Sequence, residues 1–212
     1  MSNLIENPAH PSQLVGVTST AEAKSILREQ VRARLKSISP EQRTIASAQL
    51  RARLAAERFF ADATSILFFA PLPDEPDVWP LLEKTLAAGK TVALPRFDST
   101  TQSYIAVRVQ NLTSDIVTGQ FGIREPAAAC ALLPLNQLDL LLVPGVAFDL
   151  NGGRLGRGKG FYDRLLASVR GATCGVAYDE QIVAAVPVEP HDIRLNYILT
   201  PTRWHTARPT RF

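Results

Sequence analysis

The chain has 212 residues, of which 46% are hydrophobic and 20% are charged, a composition typical of a globular protein with one hydrophobic core. Its formal net charge is only +3, which excludes the strongly basic surface of a general nucleic-acid-binding protein. No apolar run approaches the roughly 18 residues that a membrane-spanning helix needs, so we expect no membrane segment.

Residues 1–20 are polar and contain no Lys or Arg, which predicts a disordered N-terminal extension without a secretory or mitochondrial signal. Residues 21–212 show no internal repeat and no low-complexity linker, so we expect a single domain. Cys130 and Cys174 have no CxxC spacing, and we interpret them as buried thiols of a cytoplasmic protein. The sequence shows no interface pattern, and a monomer is expected.

Two helices are predicted at the start of this domain. The first runs from about Ala21 to Lys36, with apolar residues at every fourth position from Leu27 to Leu35. The second begins at the capping box Ser39-Pro-Glu-Gln42, where the proline suits the first turn, and continues to about Phe60.

Strands and helices then alternate. The continuous apolar run 65–70 predicts a central strand that is buried on both faces. The other predicted elements, in chain order, are a helix at 78–88, strands at 91–95, 104–109 (an edge candidate) and 138–143, a helix from Phe161 to about Val169, and strands at 173–178 and 196–200. This order predicts an α/β fold: a three-layer α/β/α sandwich around a mostly parallel, Rossmann-like sheet.

The segment 152–164, GGRLGRGKGFYDR, combines five glycines with four cations. It follows the most apolar predicted strand, at the sheet edge where α/β proteins bind ligands, and it precedes a helix. Glycines let backbone N–H groups turn toward an anion, a helix N-terminus adds partial positive charge, and Arg and Lys supply charge-assisted hydrogen bonds. The segment therefore predicts a polyphosphate site.

Two common phosphate motifs nearly match this segment, and both fail. GxxxxGK runs from Gly153 to Lys159, but Gly160 stands where a P-loop has the Ser or Thr that holds magnesium. A GxGxG spacing replaces the GxGxxG of dinucleotide-binding proteins, and no acidic residue ends a strand about twenty positions later. The alternative is a flexible loop with solvated charges; cations interleaved with glycines before a helix favour the anion site.

The run 154–163, RLGRGKGFYD, resembles the signature of the 5-formyltetrahydrofolate cyclo-ligase (5,10-methenyltetrahydrofolate synthetase) family. Shorter matches to this family lie in the expected order over residues 21–200: Lys24 and Arg28, Asp74-Glu75 followed by Val78, 93–96, 122–126, 143–149, 186–192 and Thr200. The family often has two tyrosines before the aspartate, whereas this chain has Phe161-Tyr162. A hydrogen bond from the first hydroxyl is therefore lost, and apolar contact remains.

The resemblance implies an ATP- and Mg²⁺-dependent ligase that converts 5-formyltetrahydrofolate to 5,10-methenyltetrahydrofolate and releases ADP and phosphate. In this reaction ATP activates the formyl oxygen and N10 closes the ring, so the protein positions its substrates and stabilises charge without a nucleophile of its own. The expected partners are 5-formyltetrahydrofolate and ATP, with no nucleic acid and no membrane.

The resemblance also implies the roles of individual residues. The expected ATP site comprises Lys24, Arg28, Arg154, Leu155, Gly156, Arg157, Gly158, Lys159, Gly160, Phe161 and Tyr162. The expected catalytic residues are Arg28, Arg157 and Lys159. The expected folate site comprises Glu75, Arg157, Gly158, Lys159, Gly160, Phe161 and Tyr162. Asp163 and Asp192 are the expected magnesium ligands.

Each of these roles has a simpler alternative. Lys24 and Arg28 lie four residues apart on one helix face, and Arg32 and Lys36 continue the row, as on a solvated basic surface. The remaining alternatives are a solvated loop acid for Glu75, a core aromatic for Tyr162, an ion-pair partner for Asp163 and a turn cap for Asp192. The sequence leaves open whether Glu125, Trp79 and Phe121 contact a substrate.

Two other functions compete with the ligase. A regulatory anion-binding module would have lost phosphate cations or metal carboxylates, but this chain retains all of them. A sugar-phosphate isomerase or an acyl transferase is supported by fold analogy alone. The sequence has no GxSxG motif, and its three histidines lack metal-ligand spacing, which argues against a serine hydrolase and a zinc site.

Overall fold

The computed structural model describes residues 19–119 and 124–207. The helices are α1 (Thr20–Lys36), α2 (Pro40–Ala56), α3 (Arg58–Asp62), α4 (Trp79–Ala87) and α5 (Phe161–Leu166). The strands are β1 (Ser65–Leu67), β2 (Thr91–Asp98), β3 (Ser103–Val109), β4 (Ile116–Thr118), β5 (Arg124–Pro126), β6 (Leu140–Val143), β7 (Ala147–Asp149), β8 (Arg154–Leu155), β9 (Ala172–Val176), β10 (Ile182–Val183), β11 (Tyr197–Leu199) and β12 (Trp204–Thr206). In these two ranges, no helix has the length and apolar character to cross a bilayer.

A seven-stranded sheet with the order β12-β11-β9-β6-β1-β2-β3 forms the centre of the molecule. The inner strands from β11 to β2 pair in parallel, and only the two edge strands, β3 and β12, run antiparallel to their neighbours. This confirms the predicted α/β fold with a mostly parallel sheet. The predicted strand 104–109 lies at an edge, and β1 and β6 are buried along their whole length.

The sheet is covered on both faces, which produces three layers. Ile66, Leu140 and Leu142 point to one face and pack with apolar residues of α2, α3 and α4. Leu67 and Leu141 point to the other face and pack with α5. Successive side chains of a strand alternate between faces, so continuous apolar strands require a helical layer on each side.

Two helices end earlier than the sequence predicts. The capping box at Ser39 is present, but α2 ends at Ala56 because Glu57 adopts an extended backbone with ψ 132°. This break lets Phe60, on α3, turn into the core beside Phe68. Helix α5 ends at Leu166, and a turn at residues 167–168 follows it before β9.

Several short strands were missed by the sequence prediction. One of them is β12, at the edge of the central sheet. The others form a three-stranded sheet, β10-β7-β8, and a two-stranded ribbon, β4-β5. Strands of two or three residues are too short to show a period, so sequence alone does not reveal them. The three-stranded sheet packs against α1 through Val31, Leu35 and Leu155, and this contact brings α1 next to the glycine-rich segment.

Candidate active site

A cavity of about 650 Å³ opens at the carboxyl ends of the central strands. It is enclosed by α1, the turn after β1, the β2–β3 hairpin and the glycine-rich segment. Its lining includes every predicted site residue: Lys24, Arg28, Glu75, the nine residues 154–162, Asp163 and Asp192. Residues that lie far apart in sequence thus meet around one space.

The glycine-rich segment consists of two structurally different halves. Its first half is the arm of a β-hairpin, in which β8 pairs with β7 and the Asp149 carboxylate accepts the N–H groups of Asn151 and Gly153. The second half, 156–160, is a loop that borders the cavity. Gly158 and Gly160 have φ angles of 104° and 64°, in the region that favours glycine. The backbone path therefore favours glycine at these two positions.

Arg154 is buried beneath this loop and forms an ion pair with Asp163. Its Nη2 donates to Asp163 Oδ1 at 2.6 Å, and its guanidinium lies 5.6 Å from the centre of the Tyr162 ring. Its Nε is buried without a hydrogen-bond partner among the described residues. Arg154 also lines the cavity, so its guanidinium contributes positive charge there.

Lys24 and Arg28 face the cavity, whereas the rest of their row faces solvent. Lys24 is buried, Arg28 is half-buried, and Arg32 and Lys36 are exposed. Arg28 Nε donates to the Gly156 carbonyl at 2.9 Å. The solvated-face alternative therefore describes only the second half of the row.

Lys24 is held by two carboxylates near the C-terminus of the domain. Its Nζ lies 2.6 Å from Glu189 Oε2 and 2.6 Å from Asp192 Oδ2. Burial lowers the pKa of Lys24, but the hydrogen bonds and charges of these carboxylates outweigh it and raise the pKa above 10.5. The pKa of Asp192 moves down for the reciprocal reason: burial raises it, but the hydrogen bond from Lys24 and the Glu189 N–H outweigh burial. Lys24 is therefore a charged ammonium at neutral pH.

The two predicted magnesium ligands occupy different surroundings. Asp163 pairs with Arg154, and Asp192 caps the N–H of Glu189 at 2.7 Å as well as binding Lys24. Asp192 also lies with Glu189 and His191 in a group whose ligand atoms are within 4.8 Å of one another. Asp163 Oδ2 and Asp192 Oδ1 accept no hydrogen bond from the described part of the chain, so each aspartate keeps one hard oxygen donor of the type that Mg²⁺ prefers. The chemical type of both donors fits the predicted metal, although only Asp192 belongs to the group with Glu189 and His191.

Glu75 is buried, which excludes the solvated loop acid. Its side chain is 7% exposed, Oε2 accepts the Leu72 N–H at 3.0 Å, and Oε1 accepts Arg157 Nη2 at 3.1 Å. Burial raises the pKa of Glu75, and the Leu72 N–H and Arg157 offset only part of this effect. Arg157 also donates to Asp74 at 2.6 Å, so this cation links the glycine loop to the turn after β1.

A cluster of aromatic rings also lines the cavity. Phe97 and Tyr104, from β2 and β3, lie 5.0 and 5.3 Å from Phe161 between ring centres, and Tyr104 lies 5.7 Å from Tyr162. Tyr162 also packs against the core, so its cavity role and its core role coexist. Burial raises the pKa of the Tyr162 hydroxyl well above 10, so Tyr162 is neutral.

Sequence reasoning missed Phe97, Tyr104, Glu189 and Arg124, all of which line the cavity. Aromatic residues in neighbouring strands were the available signal for the first two, but their pairing depends on the β2–β3 register. Glu125 also lines the cavity, whereas Trp79 belongs to the core and lines a second cavity. Phe121 lies outside the described residues. Both cysteines are free thiols: Cys174 is buried, as expected, and Cys130 is only partly buried.

The sequence model of the 5-formyltetrahydrofolate cyclo-ligase family matches residues 20–201. The chain is 34% identical to a 5-formyltetrahydrofolate cyclo-ligase from Escherichia coli K12 over 177 residues, which cover 82% of this chain and 97% of the relative. It is 30% identical to the Mus musculus protein of the same name, over 84% of this chain and 93% of the relative.

A solved structure of 5,10-methenyltetrahydrofolate synthetase from Aquifex aeolicus superimposes with a TM-score of 0.79. It shares 33% identity and covers 89% of this chain and 95% of its own. The family match includes α1, the turn after β1, the glycine-rich segment and Asp192, which are the parts that enclose the cavity. Sequence, fold and cavity lining agree, and the chain belongs to the 5-formyltetrahydrofolate cyclo-ligase family of ligases.

Proposed function

We propose that this protein converts 5-formyltetrahydrofolate to 5,10-methenyltetrahydrofolate in an ATP- and Mg²⁺-dependent reaction that releases ADP and phosphate. One observation carries the proposal: a single cavity is lined both by a cationic glycine loop and by a buried carboxylate with aromatic rings. The first surface suits a polyphosphate, and the second suits a flat heterocycle with N–H donors.

The proposed reaction makes two successive changes at the formyl group. The formyl oxygen attacks the γ-phosphorus of ATP, the bond to the ADP oxygen breaks, and ADP leaves. N10 then attacks the formyl carbon and loses its proton, and the bond from this carbon to the phosphorylated oxygen breaks to release phosphate. No step needs a protein nucleophile, so catalysis consists of positioning and charge stabilisation.

Five cations from the cavity lining would serve the phosphoryl transfer. Lys24 and Arg28 approach from α1, Arg154 lies beneath the loop, and Arg157 and Lys159 lie within it. We assign the ATP phosphates to these side chains and to the backbone N–H groups of the loop. Arg28, Arg157 and Lys159 would stabilise charge that develops on the transferred phosphoryl group.

Magnesium would be held by Asp163 and Asp192 through their remaining carboxylate oxygens. It would neutralise charge on the ATP phosphates, because two protein carboxylates leave coordination positions free for phosphate oxygens. The chain's own contribution is to place these carboxylates beside the phosphate cations. Glu75 would accept pterin N–H groups, and Phe161 and Tyr162 would flank the pterin with Phe97 and Tyr104.

The arrangement of the acids disfavours an ATP-independent isomerase or acyl transferase. Such an enzyme needs a carboxylate base that is free to take a proton. Here Glu75, Asp163 and Asp192 are each bound by a cation, as is Glu189, which leaves the exposed Glu125 as the one acid of the cavity without an ion pair among the described residues. A regulatory module is disfavoured because the cavity retains the phosphate cations and the predicted metal carboxylates. We retain the expectation of a single-domain, cytoplasmic monomer.

The test mixes purified protein with 5-formyltetrahydrofolate, ATP and Mg²⁺ and follows the ultraviolet absorbance of the methenyl product. We expect an absorbance increase that needs both ATP and Mg²⁺. Lys159→Ala is expected to reduce turnover about 100-fold, the scale of one lost charge-stabilising donor. Absence of any ATP-dependent increase in the wild type would refute the proposal, and an unchanged rate in the variant would remove Lys159 from the site.

A further inference from the structure

A closed chain of hydrogen bonds surrounds the turn that carries Glu75. The Asp77 N–H donates to Ser47 Oγ at 3.1 Å, Ser47 Oγ lies 3.1 Å from the Tyr178 hydroxyl oxygen, and the Tyr178 hydroxyl donates to the Glu75 carbonyl at 3.2 Å. A backbone N–H can only donate and a carbonyl can only accept, so the hydroxyl of Ser47 donates to Tyr178. The two hydroxyls thereby tie together the residues on either side of Pro76.

Tyr178 is itself fixed by groups outside this turn. Its side chain is buried, and its N–H donates to Gln181 Oε1 at 2.7 Å. Gln181 is held in turn through Nε2, which donates to the Gly145 carbonyl at 2.7 Å. The Arg43 guanidinium lies 5.7 Å from the centre of the Tyr178 ring. Tyr178 is therefore a rigid support, and the turn after β1 is the part that it holds.

The Glu75 carboxylate needs such a support because burial of an ionised group is unfavourable. Its own contacts are the Leu72 N–H and Arg157, and Arg157 lies on an exposed loop. If the Glu75 backbone could rotate, its carboxylate would gain free energy by turning toward water. A fixed Glu75 carbonyl removes that freedom without touching the carboxylate.

We propose that the Tyr178 hydroxyl is a positioning residue for folate binding, which acts by fixing the backbone of Glu75 so that its carboxylate points into the cavity. This inference rests on the proposed function, because it takes Glu75 to be the group that binds the pterin. Tyr178 and Ser47 also line the second cavity. The inference requires no ligand in that cavity. It adds to the site two side chains on α2 and after β9 that lie behind the cavity wall.

Tyr178→Phe tests the inference because it removes one hydroxyl and keeps the ring. We expect KM for 5-formyltetrahydrofolate to rise on the order of tenfold, the effect of a buried carbonyl that loses its hydrogen bond. KM for ATP is expected to rise less than KM for 5-formyltetrahydrofolate, because Arg157 is the only proposed phosphate cation that pairs with this turn among the described residues. The matched control is Tyr197→Phe, on β11, whose ring packs against Phe59 and Trp204 and which should alter neither KM.

Combination with Glu75→Gln separates positioning from a merely structural effect. If Tyr178 acts through Glu75, the double variant has a folate KM no higher than that of Glu75→Gln alone. Multiplication of the two single effects would overturn the inference, as would a Tyr178→Phe enzyme that raises both KM values equally. If Tyr178→Phe does not fold, Ser47→Ala breaks the same chain of hydrogen bonds from the other side. The same results would then support or overturn the inference.

Failure of this inference is distinguishable from failure of the proposed function. A folded wild-type protein without ATP-dependent formation of the methenyl product refutes the function, and the inference falls with it. An active wild type whose Tyr178→Phe variant keeps its folate KM refutes the inference alone.

Discussion

The ammonium of Lys24 lies 2.6 Å from Asp192 Oδ2, although 168 residues separate them in the chain. This contact joins the first helix of the domain to the segment that follows β10, directly at the cavity. Glu189 holds the same ammonium at 2.6 Å. One predicted phosphate cation and one predicted metal ligand thus form a single electrostatic unit.

Lys24→Ala should raise KM for ATP about 100-fold. The change removes a cation from the phosphate side and also leaves Glu189 and Asp192 without their partner, so the phosphates would meet two uncompensated negative charges. Steady-state kinetics with varied ATP measures the effect. Arg32→Ala is the control, because Arg32 is exposed on the same helix, and its KM should stay within about twofold of the wild type. Equal KM values in the two variants would contradict the role of Lys24.

Gly160→Ala should lower activity, whereas Gly89→Ala should not. Both glycines have positive φ, 64° and 79°, so alanine costs each of them about 1–2 kcal/mol of stability. A Cβ at Gly160 would lie 3.3 Å from Arg164 Nη1, whose guanidinium also bonds the hairpin tip, while a Cβ at Gly89 meets nothing within 4 Å. We expect similar losses in Tm and about a tenfold loss of kcat/KM for Gly160→Ala alone. Equal activities would mean that the loop tolerates the strain.

Asp192→Asn should raise the Mg²⁺ concentration needed for half-maximal activity at least about tenfold, the scale expected when a metal site is disturbed. Asp163→Asn should do the same and also lower Tm, because it leaves the buried Arg154 without its counter-ion. A Mg²⁺ titration of turnover and calorimetric titration of Mg²⁺ in the presence of ADP measure the two effects. Asp62→Asn, at an exposed position on α3, is the control. If neither site variant changes the Mg²⁺ requirement, the metal is held elsewhere.

A feature of this protein is predictable from the sequence when the residues that produce it lie close together in the chain. The capping box at Ser39 and the glycine-rich segment are local patterns, and the structure contains both. The contact between Phe97 and Tyr104 depends on strand register, and the pairing of Lys24 with Glu189 depends on tertiary structure. The burial of Glu75 likewise follows from how the turn after β1 packs against Tyr178, which no local pattern encodes.

Glu75→Gln should weaken folate binding and yet stabilise the protein at neutral pH. Burial raises the pKa of Glu75 above its ordinary value of 4.5, so the folded state holds this proton more tightly than the unfolded state does. The resulting contribution to stability is full below pH 4.5 and is lost as the pH rises through the folded-state pKa. Glutamine resembles the protonated carboxyl, so the variant keeps this contribution to stability at every pH. The Tm of the variant should therefore exceed that of the wild type at pH 7.5, and the difference should shrink toward zero below pH 4.5.

The same substitution should raise KM for 5-formyltetrahydrofolate by roughly 10- to 100-fold, because an amide offers one acceptor oxygen where the carboxylate offers two. Thermal unfolding from pH 4 to pH 8 and steady-state kinetics at pH 7.5 provide the two measurements. Glu83→Gln, on the exposed side of α4, should change neither quantity. A variant that is less stable than the wild type at pH 7.5 would show that the pairing of Glu75 with Arg157 outweighs the cost of burying its charge.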